Sequence, residues 1–494
     1  TTSSQNWSHI LSRGLESERQ PHQPSCVSIL ENIALEQYFL SSYEFPLISS
    51  RENNSSTTTS SLPNPECIAS IVAGLAIHSN VVNVGIISKT VKLDNVGAQW
   101  VVQGNVTTPN NVRRRPFFDA GLDGSGQIVS VSDTGLDVDN CHFKDQRGHG
   151  SIFSNWDYSR RKVVRYEASN RGGDSTDVHR GHGTHVVGTL AGRHVLDTTL
   201  GNSEKEGIAP ASKIHFYDIG NGYVVQDPRE KWFDSFYRED PRQGAKIGSG
   251  SWGFGYRESY DWVCQLYDQI MADHPNVLFV SSAGNSGNKF DSPFNTVGAP
   301  ASCKNVFAVG ATNNDGYGSH GLHYVADFSS RGPTADGRTK PDILAPGYAL
   351  DSALSFSSED CNKKEDSYIK AGTSMSAPVI AGVGAIIRQY FEEGWYPCGT
   401  KGCGESISPS GTLVKAILAN GAQQTKGVQS GGTSSLLGNQ NVRPYDNSEN
   451  MGETNLLTSL PLPNENNFNM FIVNDSPLRN DEEMTWYFDL NMNE

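Results

Sequence analysis

The sequence predicts a three-layer α/β fold, in which helices cover both faces of a doubly wound, mostly parallel sheet. Short continuous apolar segments, which are typical of fully buried strands, lie at residues 127–132, 213–219, 277–282 and 306–311. Helical patterns follow residue 182, cover 260–272 and begin at 374. Buried strands that alternate with helices form parallel sheets. Right-handed crossovers then bring the carboxyl ends of the strands to one edge, where α/β sites form.

The 494 residues divide into three predicted parts, and the α/β pattern occupies the middle part, residues 97–425. Residues 1–96 contain a Ser/Thr/Asn-rich linker at 53–63, which has no means of forming a core. A short helix at 68–76 and a strand at 81–87 are predicted to follow this linker.

The third predicted part, residues 426–494, is rich in Gly, Ser and Asn as far as residue 450. Weak strand signals follow at 470–473 and 485–490, and the last twenty residues are acidic. We expect the start of a truncated β-rich domain here, because about 45 residues cannot close a two-sheet sandwich. A disordered acidic tail is the alternative.

Composition excludes several functional classes. The formal net charge of −15 argues against a nucleic-acid partner. No apolar run approaches the roughly 18 residues that span a bilayer, so no membrane span is predicted in this chain. Eight cysteines suit an oxidising compartment. Proximity favours two disulfides, Cys398 with Cys403 and Cys26 with Cys67.

Three motifs carry candidate catalytic groups. Asp133 ends the strand at 127–132, His182 lies between glycines at the start of a helical segment, and Ser374 lies in the motif Gly-Thr-Ser-Met-Ser-Ala-Pro at 372–378. A serine hydroxyl is a weak nucleophile until a base activates it and a third group orients the base. The chain order Asp, His, Ser is the order of the subtilisin triad. Nearby Asp137, Asp139, His149 and His185 are less well placed to take these roles.

These motifs resemble those of the subtilases, the subtilisin-like serine proteases. A fourth motif, Ser-Ala-Gly-Asn at 282–285, resembles the family's oxyanion-hole segment and assigns that role to Asn285. The resemblance covers residues 97–425 and implies a subtilisin-like fold and a serine endopeptidase with an acyl-enzyme intermediate. This chemistry requires no cofactor.

The resemblance also implies where a protein or peptide substrate binds. The segment Ser-Gly-Ser-Trp-Gly at 249–253 resembles the family's substrate-binding strand, and Gly298 resembles the floor of its S1 pocket. A structural turn at Gly298 is the alternative. The predicted substrate-binding residues are Ser249, Gly250, Ser251, Trp252, Gly253 and Gly298.

Further expectations concern processing and location. Residues 1–96 resemble a subtilase propeptide, which implies a zymogen with its own N-terminal region as an intramolecular inhibitor. An ordinary N-terminal packing layer is the alternative. The long insertion after Gly220 resembles that of larger secreted subtilases with a C-terminal β-sandwich, so we expect the extracellular space or the secretory-pathway lumen.

The chain departs from the family pattern at Asn-Cys-His-Phe, residues 140–143, where many subtilases carry a calcium-ligating aspartate. The metal content is therefore unknown. Asp-rich loops elsewhere could supply structural calcium, although solvated carboxylates are the favoured interpretation. A processing protease or tripeptidyl exopeptidase is the second functional hypothesis, and a catalytically silent peptide-binding homologue is the third.

Overall fold

A seven-stranded parallel sheet lies at the centre of the computed structural model. The structure describes residues 95–104, 115–148, 153, 155–178, 180–196, 206–222, 224–254, 260–289, 292–314, 322–356, 361, 367–428, 445–466, 468–474 and 484. All of these residues belong to one compact unit, Thr90–Glu494.

The described residues form eleven strands and eight α-helices. The strands are β1 Ile128–Asp133, β2 Val163–Ala168, β3 Lys213–Asp218, β4 Gly220–Asn221, β5 Val224–Val225, β6 Ala245–Gly250, β7 Leu278–Ser282, β8 Phe307–Asn313, β9 Ile343–Tyr348, β10 Leu350–Ala353 and β11 Ser367–Lys370. The helices are α1 Asn95–Gly104, α2 Pro116–Asp119, α3 His182–Ala191, α4 Glu230–Phe233, α5 Trp262–Asp273, α6 Thr373–Glu392, α7 Gly411–Asn420 and α8 Leu456–Ser459. Helix α4 continues as a π-helical turn, Asp234–Arg238.

The strand order of the main sheet is β2-β3-β1-β6-β7-β8-β9, and every neighbouring pair in it is parallel. Strands β2 and β3 lie on one side of β1, whereas β6 to β9 lie on the other. The winding direction therefore reverses at β1. In open α/β sheets the crevice outside the carboxyl ends of the strands at this reversal is the usual ligand site.

Alternate side chains of a strand point to opposite faces, and β7 shows how this builds two cores. Leu278 and Val280 belong to the core that contains helices α3 and α6. Phe279 belongs to the core on the other face, with Trp232 and Tyr267. Both faces of the sheet are therefore covered, which confirms the predicted three-layer α/β fold.

The predicted strands at 127–132, 213–219, 277–282 and 306–311 are present as β1, β3, β7 and β8, and the three predicted helical segments as α3, α5 and α6. The predicted strand at 470–473 is wrong, because these residues have no regular secondary structure. Met470 and Ile472 pack against the main core instead. The predicted helix at 68–76 and the strands at 81–87 and 485–490 lie outside the described residues.

Three disulfides join described cysteines. The predicted pair Cys398–Cys403 is confirmed, and the predicted pair Cys26–Cys67 lies outside the described residues. Cys141–Cys361 and Cys264–Cys303 were not predicted. Among the described helices, none combines the length and the apolar character that crossing a bilayer would require.

Candidate active site

Asp133 and His182 form a hydrogen-bonded pair at the carboxyl end of β1. Asp133 is the last residue of β1 and His182 is the first residue of α3. The His182 Nδ1 and Asp133 Oδ1 atoms lie 2.7 Å apart. The same carboxylate oxygen accepts the backbone N–H of Thr134 at 2.7 Å. Since an ionised carboxylate only accepts hydrogen bonds, this contact places a proton on Nδ1 and leaves Nε2 as the basic nitrogen.

The His182 side chain is 28% exposed, whereas that of Asp133 is only 2% exposed. Burial by itself lowers the pKa of His182, but the charge and hydrogen bond of Asp133 outweigh it, so the pKa of His182 is raised above 6.5. A neighbouring carboxylate favours the imidazolium in this way. The pair is therefore arranged to accept a proton and to stabilise the resulting cation.

Ser374 is the second residue of α6, so its hydroxyl lies at the amino end of a long buried helix. Its Oγ donates to the backbone oxygen of Ser251 at 3.1 Å. Among the described residues it forms no hydrogen bond with His182. The hydroxyl of Ser374 therefore contacts the strand segment after β6 and not the imidazole.

Pro378 explains a second contact between Ser374 and the strand segment after β6. A proline has no backbone N–H, so Pro378 cannot bond to the carbonyl of Ser374 four residues earlier in α6. The Ser251 hydroxyl donates to this carbonyl at 2.8 Å instead. Ser251 and Ser374 are thus joined by two reciprocal hydrogen bonds.

Asn285 lies in the turn after β7, next to the start of α6. Its Oδ1 atom accepts the backbone N–H of Thr373 at 2.8 Å and the Thr373 hydroxyl at 3.0 Å. The Thr373 hydroxyl also accepts the backbone N–H of Gly284 at 3.0 Å. A Cβ atom on Gly372 would lie 3.1 Å from Asn285 Nδ2, so glycine allows this close approach. The amide group is therefore fixed with its N–H₂ next to the segment that carries Ser374.

The six predicted substrate-binding residues lie at the end of β6, in the segment that follows it, and at Gly298. Ser249 and Gly250 are the last residues of β6, and the Ser249 side chain is fully buried. Residues 251–253 follow the strand, and the adjoining Phe254 donates its N–H to Ala299 O at 2.8 Å. This contact brings the segment beside Gly298. The Trp252 side chain is buried among aromatic residues of the second core.

The alternative catalytic candidates are engaged elsewhere. The Asp137 carboxylate accepts the N–H of Phe356 at 2.8 Å. His185 is fully buried, and its Nε2 contacts the carbonyls of Leu350 and Tyr368 at 3.1 and 2.9 Å. Burial lowers the pKa of His185 to about 3, so this side chain stays neutral. His149 lies outside the described residues.

One cluster of described residues has the composition of a metal site: Cys141, His194 and Cys361. The two cysteines are joined by a disulfide, so their sulfur atoms are not thiolate ligands. The cluster therefore does not supply the calcium-ligating carboxylate that the sequence lacks at residues 140–143.

The sequence analysis missed Asp177, a buried carboxylate five residues before His182. It accepts hydrogen bonds from Thr134 Oγ1 at 3.0 Å and from Thr184 Oγ1 at 2.7 Å. Thr134 adjoins Asp133, and Thr184 lies in the first turn of α3. A polar loop gives no periodic hydrophobic signal. Only the position of Asp177, five residues before His182 in the sequence, could have drawn attention to it.

The model of the subtilase family matches residues 124–440. The chain is 28% identical over 403 residues to the serine protease/ABC transporter B family protein tagD of Dictyostelium discoideum, covering 65% of this chain and 21% of that protein. It is 29% identical over 284 residues to the serine protease AprX of Bacillus subtilis, covering 54% of this chain and 58% of AprX.

The solved structure of sphericase shares 22% identity with this chain. The match has a TM-score of 0.48 and covers 68% of this chain and 92% of sphericase. The chain spans about a fifth of the length of tagD and of two related Dictyostelium proteins, tagA and tagB.

Proposed function

Because this chain belongs to the subtilase family, we propose that it is a serine endopeptidase that cleaves protein or peptide substrates through Asp133, His182 and Ser374. One observation carries the proposal. The 2.7 Å contact of His182 and Asp133 lies at the carboxyl edge of the sheet, where the first turn of α6 presents Ser374.

In the proposed acylation step, the Ser374 hydroxyl turns from the Ser251 carbonyl towards His182 Nε2. The imidazole takes the hydroxyl proton while Oγ attacks the substrate carbonyl carbon, forming a tetrahedral oxyanion. Asp133 holds the ring and stabilises the imidazolium. The imidazolium then gives its proton to the leaving amine as the C–N bond breaks, and water hydrolyses the ester by the same sequence of proton transfers.

Two donors are proposed to stabilise the oxyanion. They are the Nδ2–H₂ group of Asn285 and the backbone N–H of Ser374, at the amino end of α6. Oriented donors at a helix amino terminus favour developing negative charge. The hydrogen bonds from Thr373 to Asn285 Oδ1 support this role, because they hold the amide plane before substrate arrives.

We propose that the substrate binds as an extended strand along residues 251–253, with Gly298 at the base of the S1 pocket. An added strand is held by main-chain hydrogen bonds, and the glycines of this segment let the substrate backbone approach closely. We favour large apolar or aromatic P1 residues over basic ones. The buried positions of Ser249 and Trp252 imply that these side chains shape the segment from beneath.

The proposal extends to processing and location. We propose a secreted zymogen of the larger subtilase type, with the N-terminal region, residues 1–96, as intramolecular inhibitor. The three disulfides of the described residues support an oxidising compartment. Structural calcium stays part of the proposal, whereas the chemistry itself uses only protein groups.

A fluorophosphonate probe tests the function directly, because it reacts with activated serines. We expect the adduct at Ser374, located by mass spectrometry, and none in Ser374→Ala. Intact mass in the same experiment shows whether the N-terminal region has been removed. A chain that is free of that region and still unlabelled would contradict the proposal and favour a silent homologue. Mapping cleaved bonds in a peptide library separates an endopeptidase from a processing or tripeptidyl enzyme.

A further inference from the structure

Asp177 occupies an unusual place beside the proposed catalytic pair. The residue is almost fully buried, at 3% exposure, and its carboxylate receives four hydrogen bonds. Oδ1 accepts from Thr134 Oγ1 and from the N–H of Val178, both at 3.0 Å. Oδ2 accepts from the N–H and the hydroxyl of Thr184 at 2.9 and 2.7 Å.

These hydrogen bonds connect the two elements that carry the catalytic pair. Thr134 follows Asp133, whose Oδ1 accepts the Thr134 N–H. The Thr134 hydroxyl also accepts the N–H of Gly183, the residue after His182, at 3.0 Å. The carboxylate of Asp177 thus reaches the strand end through Thr134 and the helix start through Thr184.

The backbone of Gly181 lies directly against the Asp177 carboxylate. A Cβ atom on Gly181 would lie 2.0 Å from the Asp177 carboxylate, so only glycine fits before His182. Gly181 also has no side chain to cap α3. The carboxylate of Asp177 fills that role, because it accepts the N–H of Thr184 in the first turn.

Charged and titratable groups surround this carboxylate from four elements. Asp133 on β1, His182 on α3, Lys370 on β11 and Tyr166 on β2 all interact with its charge. Burial, and then the charge of Asp133, raise the pKa of Asp177 to about 6 against the opposing hydrogen bonds from Thr184 and Thr134. The negative charge of Asp177 in turn contributes to the raised pKa of His182.

We propose that Asp177 is a positioning residue of this protease, which fixes the helix start at His182 against the strand end at Asp133 and strengthens the imidazole as a base through its charge. The inference rests on the proposed function. The proposed role of Asp177 differs from that of a purely structural cap in one respect. A cap affects folding stability, whereas a charge near the base also changes the titration of His182.

The test compares Asp177→Asn with Asp137→Asn as a matched control. Asp137 is also a carboxylate whose pKa is raised mainly by burial, but its side chain accepts from Phe356 N and Asp139 N and does not bond to Thr134 or Thr184. We expect Asp177→Asn to lower kcat roughly 10–100-fold with little change in KM, since small misplacements of catalytic groups cost rates of this size. Asp137→Asn should keep the wild-type kcat.

The pH profile of kcat/KM distinguishes the two roles, because loss of a purely structural cap would not change it. In the wild type, the negative charge of Asp177 raises the pKa of His182. Protonation of one group therefore disfavours protonation of the other, which makes the acid limb of kcat/KM broader than a single-proton curve. Loss of the negative charge lowers the pKa of His182. The limb of Asp177→Asn should therefore shift to lower pH and become a single-proton curve.

An Asp177→Asn variant that folds and keeps the wild-type kcat and acid limb would overturn the inference. Equal losses of kcat in Asp177→Asn and Asp137→Asn would also overturn it. If Asp177→Asn does not fold, Thr134→Val and Thr134→Ser replace it. Thr134→Val removes the bridging hydroxyl and should lower kcat, whereas Thr134→Ser keeps the hydroxyl and should have a kcat close to that of the wild type. Equal kcat values for the two variants would refute the inference.

The two proposals fail in different ways. A wild-type chain that is not labelled at Ser374 contradicts the proposed function, whatever Asp177 does. The titration of His182, followed by NMR of its ring protons in the wild type and in Asp177→Asn, needs no activity. Identical His182 titration curves in the two folded proteins would refute the electrostatic role.

Discussion

Asn285→Ala removes the proposed side-chain donor of the oxyanion hole and separates transition-state binding from substrate binding. Asn285 Oδ1 accepts two hydrogen bonds from Thr373, at 2.8 and 3.0 Å. These contacts engage Oδ1 and leave the Nδ2–H₂ group as the donor of the proposed mechanism. The substitution should therefore remove an interaction that forms only when negative charge develops on oxygen.

The expected magnitude is a loss of about 10²–10³ in kcat, a range measured for the corresponding change in subtilisin, a member of the same family. By the factor of 1.36 kcal/mol for each tenfold change, this corresponds to about 2.7–4 kcal/mol of transition-state stabilisation. The same variant loses both acceptor contacts to Thr373. We expect it to unfold with a free energy lower by about 1–2 kcal/mol.

The assay is steady-state hydrolysis of a chromogenic peptide, with thermal unfolding measured on the same samples. KM should change little, because the lost hydrogen bond is absent from the ground state. Asn285→Asp keeps the Oδ1 acceptor for Thr373 but sets a carboxylate oxygen against the oxyanion, so its kcat should be lower still. Asn288→Ala, three residues later on an exposed turn, is the matched control and should keep the wild-type kcat. A folded Asn285→Ala enzyme that loses less than about fivefold in kcat would refute the reasoning.

Two further predictions concern pH and the disulfides. Because the neighbouring Asp133 raises the pKa of His182, activity should fall as pH decreases through a midpoint above that of a free imidazole, since a protonated His182 cannot accept the serine proton. A kcat/KM profile that is flat between pH 5 and 8 would contradict this role. Replacing Cys141 and Cys361 by serine opens a loop of 220 residues, for which chain entropy predicts a loss of about 5 kcal/mol. Replacing Cys264 and Cys303, which are 39 residues apart, should cost less, and the reverse order in denaturant unfolding would contradict the loop-closure argument.

The layered fold could be predicted from sequence because its strands are buried on both faces. Leu278, Phe279 and Val280 are consecutive apolar residues, and the structure divides them between two cores. Such a run is typical of an interior strand of a parallel sheet. The motifs at Asp133, His182 and Ser374 lie at ends of elements that this pattern predicts, so their convergence at one edge could also be expected.

Contacts between polar loops could not be predicted in the same way. Asp177 lies in an irregular polar segment, where no hydrophobic period reveals burial. Three of its four hydrogen bonds come from Thr134 and Thr184, and these two residues meet at Asp177 only because α3 packs against the end of β1. The partnership of Cys141 with Cys361 depends equally on tertiary structure, since eight cysteines permit 105 pairings. The hydrogen bond from the Ser251 hydroxyl to the Ser374 carbonyl is possible because Pro378 has no N–H for that carbonyl. This consequence of Pro378 can be recognised only when the helix is known to begin at Thr373.

The reversal of winding at β1 also bears on when, during synthesis of the chain, the candidate site can form. Strand β1 pairs with β3 and β6, and the nucleophile follows Asp133 by about 240 residues, so the site consists almost entirely of contacts distant in sequence. Sheets built from such contacts fold slowly. At roughly 5–20 residues per second of synthesis, Ser374 is added roughly 12–50 s after Asp133. In the proposed mechanism, a ribosome-bound chain that ends before α6 carries Asp133 and His182 but not the nucleophile Ser374, so at that stage of synthesis it cannot cleave itself or its neighbours.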